Sequence, residues 1–352
     1  MKELAVVGFP SSVGGAGTEL NDQISCWVRM GIHVHLFPTG PLSAEQQMMS
    51  LPGCTVHPMK AWKEIDGRDV ISFCSRDYLE ALPEIRLHSR STLWVNCMTW
   101  NFPKEVENHG TGLIDFHLYQ TEHGRKMVGR ALEGDQTRKI VFTPFFNADR
   151  FPFISDRPRE RFRFGRLSRP APDKFSVKQS WIYSTMTAPV PKAGLVMGWS
   201  DEVQKKCGPL ESFVPGVPAG WTTSRAFFEF ADALIMSTDT YENLPRVGFE
   251  AMASGTVLVV DDRGGWKSQV QHGISGWLCR NERDFVYRAS RLAHEPGEMK
   301  EMREIARQSV LAGWGYETAS ESWNRVFAVV DALGPIKSVC SGGGTISTSS
   351  DQ

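Results

Sequence analysis

The chain has 352 residues, of which 41% are hydrophobic, and its 39 Lys and Arg side chains nearly balance 40 Asp and Glu. This length predicts about two domains. The formal net charge of −1 argues against a general attraction to nucleic acid or to acidic membrane surfaces.

Cysteine usage and hydropathy point to the cellular compartment. The seven cysteines include no CxxC pair and make a poor disulfide framework, which favours a reducing environment. No apolar run reaches the roughly 18 residues of a membrane-spanning helix, and the first residues enter a strand without a signal-peptide pattern. We therefore expect a cytoplasmic protein without an integral membrane segment, and leave peripheral membrane association open.

The first half of the chain predicts strands alternating with helices. A strand at residues 4–9, a glycine-rich loop with Gly14 and Gly15, a helix at 20–30 and a strand at 33–37 follow the order of a mononucleotide-binding unit. Neither GxGxxG nor GxxxxGK(S/T) is present, which disfavours a dinucleotide or P-loop site. A tight turn without a ligand is the alternative for this loop. Further strands are predicted at 69–74, 92–97, 116–120 and 139–143, with helices near 78–82 and 124–132.

A basic segment, residues 157–178, opens the second half, with eight Lys and Arg against two acids. Gly165 and Arg166 end a predicted strand there, and Arg169 and Lys174 follow. Two cations could bind the two phosphates of a nucleoside diphosphate. A solvated surface is the alternative, mainly for the outer arginines.

The rest of the chain also alternates. Helices are predicted at 174–186, 222–230, 282–293, 298–312 and 316–333, and strands at 194–199, 208–215, 233–236 and 257–260. Such alternation predicts parallel sheets. The segment after residue 337 is rich in Gly, Ser and Thr, and is predicted to be a disordered tail.

The most informative stretch runs from the strand at 233–236 to a double glycine. Glu242 lies in the loop after this strand, and Glu250 lies in a helix that starts near Pro245 and ends at Gly255. Ligands of parallel sheets bind at the carboxyl ends of the strands, and a helix N-terminus attracts anions. This arrangement suits a sugar nucleotide, because the carboxylates can accept hydrogen bonds from its hydroxyl groups and the helix N-terminus can bind its phosphate.

This stretch resembles a known signature. Residues 242–255, ENLPRVGFEAMASG, followed by TVLV and by Gly264 and Gly265, are similar to the E-x7-E region of retaining GT-B glycosyltransferases of the family-4 type, also called glycosyl transferases group 1. The resemblance implies an α/β GT-B fold with two Rossmann-like domains facing across a cleft. Residues 1–155 would form the acceptor-side domain, joined by a C-terminal helix at 316–333 that crosses back, and residues 156–315 would form the donor domain.

The resemblance also implies an activity, namely transfer of a sugar from a UDP- or GDP-sugar with retention of anomeric configuration. We do not expect a metal, because no DxD motif stands beside a strand end and no His/Cys cluster has ligand spacing. Glu242 would contact the transferred sugar, and Glu250 would accept hydrogen bonds from the ribose. Arg166 and Lys174 would clamp the diphosphate, with Arg169 as a rival for the lysine. The donor-side residues would further include Gly14, Gly15, Gly165 and the backbone around Asn243 and Leu244.

Two departures from the family pattern leave alternatives open. The family's histidine after an N-terminal strand is replaced by Met98-Thr99-Trp100, so His123, after the next strand, is the candidate substitute. Ser268 stands where the family has an acid after the double glycine. A non-catalytic nucleotide-sugar-binding protein and a GT-B epimerase are the alternatives. A glycan, a lipid-linked acceptor, a small molecule and, with less support, a nucleic acid all remain open as acceptors.

Overall fold

The computed structural model describes residues 3–11 and 14–336. Their backbone forms two parallel β-sheets, one in each half of the chain, flanked by helices. The predicted disordered tail at 337–352 lies outside the described residues.

The first sheet has seven parallel strands in the order β3-β2-β1-β4-β5-β6-β7. The strand order reverses between β1 and β4, which places a crevice at their carboxyl ends. Its strands are β1 (Glu3–Val7), β2 (His33–Phe37), β3 (Cys54–Val56), β4 (Val70–Phe73), β5 (Thr92–Val95), β6 (Phe116–Tyr119) and β7 (Lys139–Val141). Its helices are α1 (Gly15–Arg29), α2 (Ala44–Gln47), α3 (Arg76–Ile85), α4 (Pro103–Gly110) and α5 (Glu122–Val128).

The second sheet has six parallel strands in the order β10-β9-β8-β11-β12-β13, and reverses between β8 and β11. Its strands are β8 (Phe162–Leu167), β9 (Lys192–Met197), β10 (Gly216–Val217), β11 (Ala233–Met236), β12 (Val257–Asp261) and β13 (Gly276–Cys279). The helices are α6 (Gln179–Thr185), α7 (Asp201–Cys207), α8 (Ser224–Phe230), α9 (Arg246–Ser254), α10 (Trp266–Gln269), α11 (Glu282–His294), α12 (Pro296–Trp314) and α13 (Tyr316–Leu333).

The central unit of the second sheet follows directly from its sequence. Every residue of β11 and β12 is buried, as expected for continuous apolar strands covered by helices on both faces. Helix α9 has Pro245 at its N-cap and ends at Gly255, whose φ of 77° is the left-handed C-cap conformation that favours glycine. The predicted bounds of this strand–helix–strand unit are confirmed.

Helix α13 packs against the first sheet rather than the second. Trp323, Val326 and Val330 lie in the hydrophobic core that surrounds β1. The indole Nε1 of Trp323 donates a hydrogen bond to Oε1 of Gln23 in α1 at 2.8 Å. The C-terminal helix therefore crosses back onto the first half, and the predicted two-sheet α/β architecture is confirmed.

Three local predictions differ from the structure. Helix α1 begins at Gly15, inside the predicted glycine loop, rather than at residue 20. The helix predicted at 174–186 forms only as α6, because Phe175 is buried and the amide of Ser176 donates to the Ser237 carbonyl at 3.0 Å. The strand predicted at 208–215 is absent apart from the two residues of β10 that follow it, since Pro209 and Pro215 have no amide hydrogen for a ladder.

Within residues 3–11 and 14–336, no helix combines the length and the apolar character needed to cross a membrane.

Candidate functional site

The carboxyl ends of the two sheets meet where the loops after β6 and β11 touch. The hydroxyl of Thr121, the N-cap of α5, donates to Oδ1 of Asn243 at 3.2 Å. Beside this contact, the exposed His123 ring stacks on Tyr241, with centroids 6.3 Å apart. His123 therefore lies directly across from the loop that carries Glu242.

An ion pair lies at the switch point of the second sheet. Nζ of Lys174 is 2.8 Å from both carboxylate oxygens of Glu242. The side chains are 17% and 14% exposed, so the pair is sheltered but reachable from the cleft. The structure thus brings together two of the predicted site residues, which are 68 positions apart in the chain.

Arg166 lies beneath this pair and is fully buried. Its guanidinium donates to Oε1 of Gln179 at 2.6 Å, to the Ser237 carbonyl at 2.8 Å and to the Lys174 carbonyl. It also lies 4.1 Å from the centre of the Phe175 ring, and burial lowers its pKa. The guanidinium is enclosed by protein groups instead of facing the cleft, so it ties the Lys174 segment to the end of β11.

The double glycine allows the Glu242 loop to lie close to the following loop. The amide of Gly265 donates to the Glu242 carbonyl at 2.8 Å. A Cβ at Gly265 would lie 1.6 Å from the Asn243 carbonyl oxygen, and one at Gly264 would lie 2.5 Å from that of Glu242. Only glycine fits at this approach, so the double glycine sets the position of the glutamate.

The backbone after Glu242 leads into helix α9. Asn243 and Leu244 are buried, and Pro245 is the N-cap of the helix. The amide nitrogen Nδ2 of Asn243 is buried without a hydrogen-bond partner among the described residues. An unpaired buried donor is unfavourable unless a ligand or water satisfies it, and this donor lies at the contact between the two halves.

Glu250, one turn after Arg246 on α9, belongs to a charged cluster. Burial raises the pKa of Glu250, while the nearby Arg246 and Arg150 act to lower it. Arg246 donates to the carboxylates of Glu19 and Asp22 on α1. Glu250 is therefore electrostatically linked to a set of ion pairs that join the two halves.

The remaining predicted site residues lie in three different environments. Arg169 is exposed after β8. Gly165 lies inside the second sheet, where a Cβ would be 2.3 Å from the Leu195 carbonyl oxygen, so its contacts are packing contacts. Gly14 and Gly15 are exposed at the N-terminus of α1, and a Cβ at either would meet no atom within 4 Å.

Arg263, just before the double glycine, is a site residue that sequence reasoning missed. Its guanidinium donates to the Thr238 carbonyl and lies 5.4 Å from the centre of the Tyr241 ring. Its Nε is buried without a partner among the described residues. The available signal was a cation next to a glycine turn at a strand end. Nearby, Asp261 at the end of β12 accepts hydrogen bonds from the Thr238 amide and hydroxyl at 2.9 and 2.7 Å.

In the part of the chain that the structure describes, no group of three or more His, Cys, Asp or Glu side chains is arranged to hold a metal ion.

Sequence comparison gives matches to parts of the chain. Residues 213–309 match the family model described as Glycosyl transferases group 1. YtcC of Bacillus subtilis (strain 168), a provisionally named glycosyltransferase, is 31% identical over 106 residues, which are 29% of this chain and 26% of YtcC. The spore coat protein SA of the same organism is 22% identical over 103 residues, covering 28% and 27% of the two chains. The matched stretch thus spans about a quarter of each curated relative.

Structure comparison covers nearly the whole chain. HepE of Anabaena, solved in complex with UDP and glucose, superposes with a TM-score of 0.70 at 14% identity, covering 93% of this chain and 100% of HepE. Sucrose-phosphate synthase of Thermosynechococcus elongatus gives a TM-score of 0.73 at 13% identity, covering 94% and 100%. At such identities the likeness concerns the fold. The chain therefore has the GT-B fold, and within it residues 213–309 match the group 1 glycosyltransferases.

Proposed function

We propose that this protein is a retaining glycosyltransferase of the family-4 type that uses a nucleotide-sugar donor. The observation that carries the proposal is the Lys174–Glu242 pair at the switch point of the second sheet. Glu242 of this pair opens the segment whose sequence resembles the group 1 signature. A carboxylate and an ammonium at one strand end provide an acceptor for sugar hydroxyls and a cation for phosphate.

In this proposal, contacts with the bound donor replace the ion pair between Glu242 and Lys174. Glu242 accepts hydrogen bonds from hydroxyls of the transferred sugar, and Lys174 moves its charge toward the diphosphate. Arg263, with an unpaired Nε at the same loop, is a second cation for the leaving group. Arg166 is a positioning residue, because it holds the Lys174 carbonyl and the end of β11 in place.

The remaining predicted contacts hold the nucleotide. The amides around Asn243 and Leu244 meet the distal phosphate at the start of α9, and Glu250 meets the ribose. Arg169 contacts the donor from the second half of the chain, and Gly14 and Gly15 lie next to it on the first half. We propose a UDP-sugar as the donor, since HepE, of the same fold, was solved with UDP and glucose; a GDP-sugar is the alternative.

The reaction proposed is a substitution on one face of the sugar. The bond from the anomeric carbon to the diphosphate breaks, and the departing phosphate oxygen takes the proton of the acceptor hydroxyl as the new glycosidic bond forms. Stabilising charge on that phosphate is then the largest catalytic contribution. His123, across the cleft from Tyr241, borders the position of the transferred sugar.

Hydrolysis of UDP-glucose, UDP-N-acetylglucosamine and GDP-mannose tests the proposal, with release of the nucleoside diphosphate as the measurement. With the accepted donor, Glu242→Gln and Lys174→Met should each lower the rate about 100-fold or more. Lys178→Met is the matched control, because Lys178 is exposed four residues further on. If wild type binds a donor without turning it over, the protein is a nucleotide-sugar-binding protein instead.

A further inference from the structure

A cavity of about 320 Å³ lies at the carboxyl ends of β1, β2 and β4 in the first sheet. This is where the strand order of that sheet reverses, which is the usual ligand position in open parallel sheets. The cavity opens beside the first turn of α1, since Ala16 and Gly17 line it. It shares the sheet edge with Thr121, which contacts the loop after Glu242.

The charge of the cavity lining is unusual for a protein proposed to handle phosphates. Among the described residues that line it, Asp77 is the one ionisable side chain, and there is no Lys, Arg or His. Asp77 is exposed in the first turn of α3. No described residue donates a hydrogen bond to its carboxylate or forms an ion pair with it, so the carboxylate is available to a ligand.

The other polar side chains that line the cavity are neutral. Gln46 donates to the Pro10 carbonyl at 3.2 Å and accepts from the Ser43 amide at 3.0 Å, which orients its amide. Ser75 accepts from the Tyr78 amide at 3.3 Å as the N-cap of α3, and its hydroxyl hydrogen remains to donate. Thr39 adds a second hydroxyl. These groups match a ligand rich in hydroxyls.

We infer that this cavity binds the acceptor, and that the part of the acceptor seated there is a neutral or amino sugar rather than a phosphorylated or carboxylated one. This inference rests on the proposed glycosyltransferase function, because it names the acceptor class of that reaction. Asp77 accepts hydrogen bonds from sugar hydroxyls or pairs with an ammonium group, and it repels an anion.

Saturation-transfer NMR in the presence of UDP tests the inference with methyl glucoside, glucosamine, glucose 6-phosphate and glucuronate. Methyl glucoside and glucosamine should bind about tenfold more tightly than the two anionic sugars, as expected when like charges are brought together. Asp77→Asn should reduce this preference to less than about threefold. Glu84→Gln, an exposed acid in the last turn of α3, should leave it unchanged.

Two results overturn the inference: anionic sugars binding as tightly as neutral ones, or no binding by any of the four. Donor hydrolysis without an acceptor separates this from failure of the proposed function. A donor hydrolysed by wild type but with no preference for neutral sugars removes the acceptor class alone. A clear preference for neutral sugars without any donor turnover supports the cavity as a sugar site and removes the transferase function.

Discussion

At the scale of single residues, Glu242 is held by its backbone as well as by its charge. Its carboxylate is paired with Lys174, while its carbonyl accepts from the Gly265 amide at 2.8 Å. The second contact requires a glycine, since a Cβ at Gly265 would overlap the Asn243 carbonyl oxygen. The position of the carboxylate in the cleft therefore depends on a residue that has no side chain.

Gly265→Ala tests this dependence. The added methyl group should displace the Glu242 loop, weaken nucleotide binding and lower donor turnover at least about tenfold, because small displacements of positioned groups are costly. Gly313→Ala is the matched control, since nothing lies within 4 Å of a Cβ there and Gly313 is inside α12. It should stabilise the helix by about 0.5–1 kcal/mol. Equal nucleotide affinities in the two variants would contradict this account of the loop.

At the scale of elements, sequence reasoning succeeded where local signals decide the structure. Pro245 and Gly255 mark both ends of α9, and two apolar runs mark its flanking strands. It failed at residues 174–178, where the helical pattern is overridden by the burial of Phe175 and by the hydrogen bond from Ser176 to Ser237. These partners are distant in sequence, so no local pattern predicts the contacts.

The same distinction applies to the candidate site. Family resemblance predicted that Glu242 and Lys174 belong to one site, and the structure places them in contact. The burial of Arg166 was not predictable, because the partners of its two terminal nitrogens come from α6, from the end of β11 and from Lys174. Arg263 was missed for the same reason, as its partners Thr238 and Tyr241 are visible only once β11 and β12 are paired.

The pairing of β2 with β3 brings two histidines together, and their environment should make the stability of the fold depend on pH. Nδ1 of His35 is 2.9 Å from Nε2 of His57, whose other nitrogen contacts Glu64 at 2.5 Å. Burial, together with Arg68 and His33, lowers the pKa of His35 from 6.5 to about 4, against the opposing effect of Glu3. The unfolded chain therefore binds more protons between these values, and stability should fall as pH falls from 6.5 toward 4.

Urea unfolding at pH values from 7.5 to 4 measures this slope. His35→Leu should make the free energy of unfolding less dependent on pH across that window, because the variant has no such group to protonate. His33→Gln, at an exposed position two residues earlier on β2, should retain most of the wild-type slope. An unchanged slope in His35→Leu would assign the pH dependence to other groups.

At the scale of the whole molecule, the two halves are joined by buried charges as well as by α13. Arg246 of α9 donates to Glu19 and Asp22 of α1, and these side chains are 9%, 2% and 2% exposed. Asp22 also accepts from Arg150 at 3.0 Å. Because Arg246 lies between Glu242 and Glu250, the segment proposed to bind the donor is the one that holds the first half in position.

Arg246→Leu should therefore loosen the molecule and destabilise it. Removing one partner of a buried ion pair leaves charge uncompensated, at a cost of about 3–5 kcal/mol. Burial already raises the pKa of Glu19, against the opposing effect of Arg246, so without the arginine this carboxyl should protonate more easily. The destabilisation, measured by urea unfolding, should then be larger at pH 8 than at pH 5.

Small-angle scattering distinguishes loosening of the halves from general unfolding. Under conditions where Arg246→Leu remains folded, its radius of gyration should exceed that of wild type, and adding the nucleotide should reduce the difference, because a ligand contacting both halves favours the closed form. Arg225→Leu, which removes an exposed pair with Glu229, is the control and should match wild type. If Arg246→Leu keeps the wild-type radius without nucleotide, then α13 and the apolar contacts alone fix the two sheets, and the charges at α9 serve the local site instead.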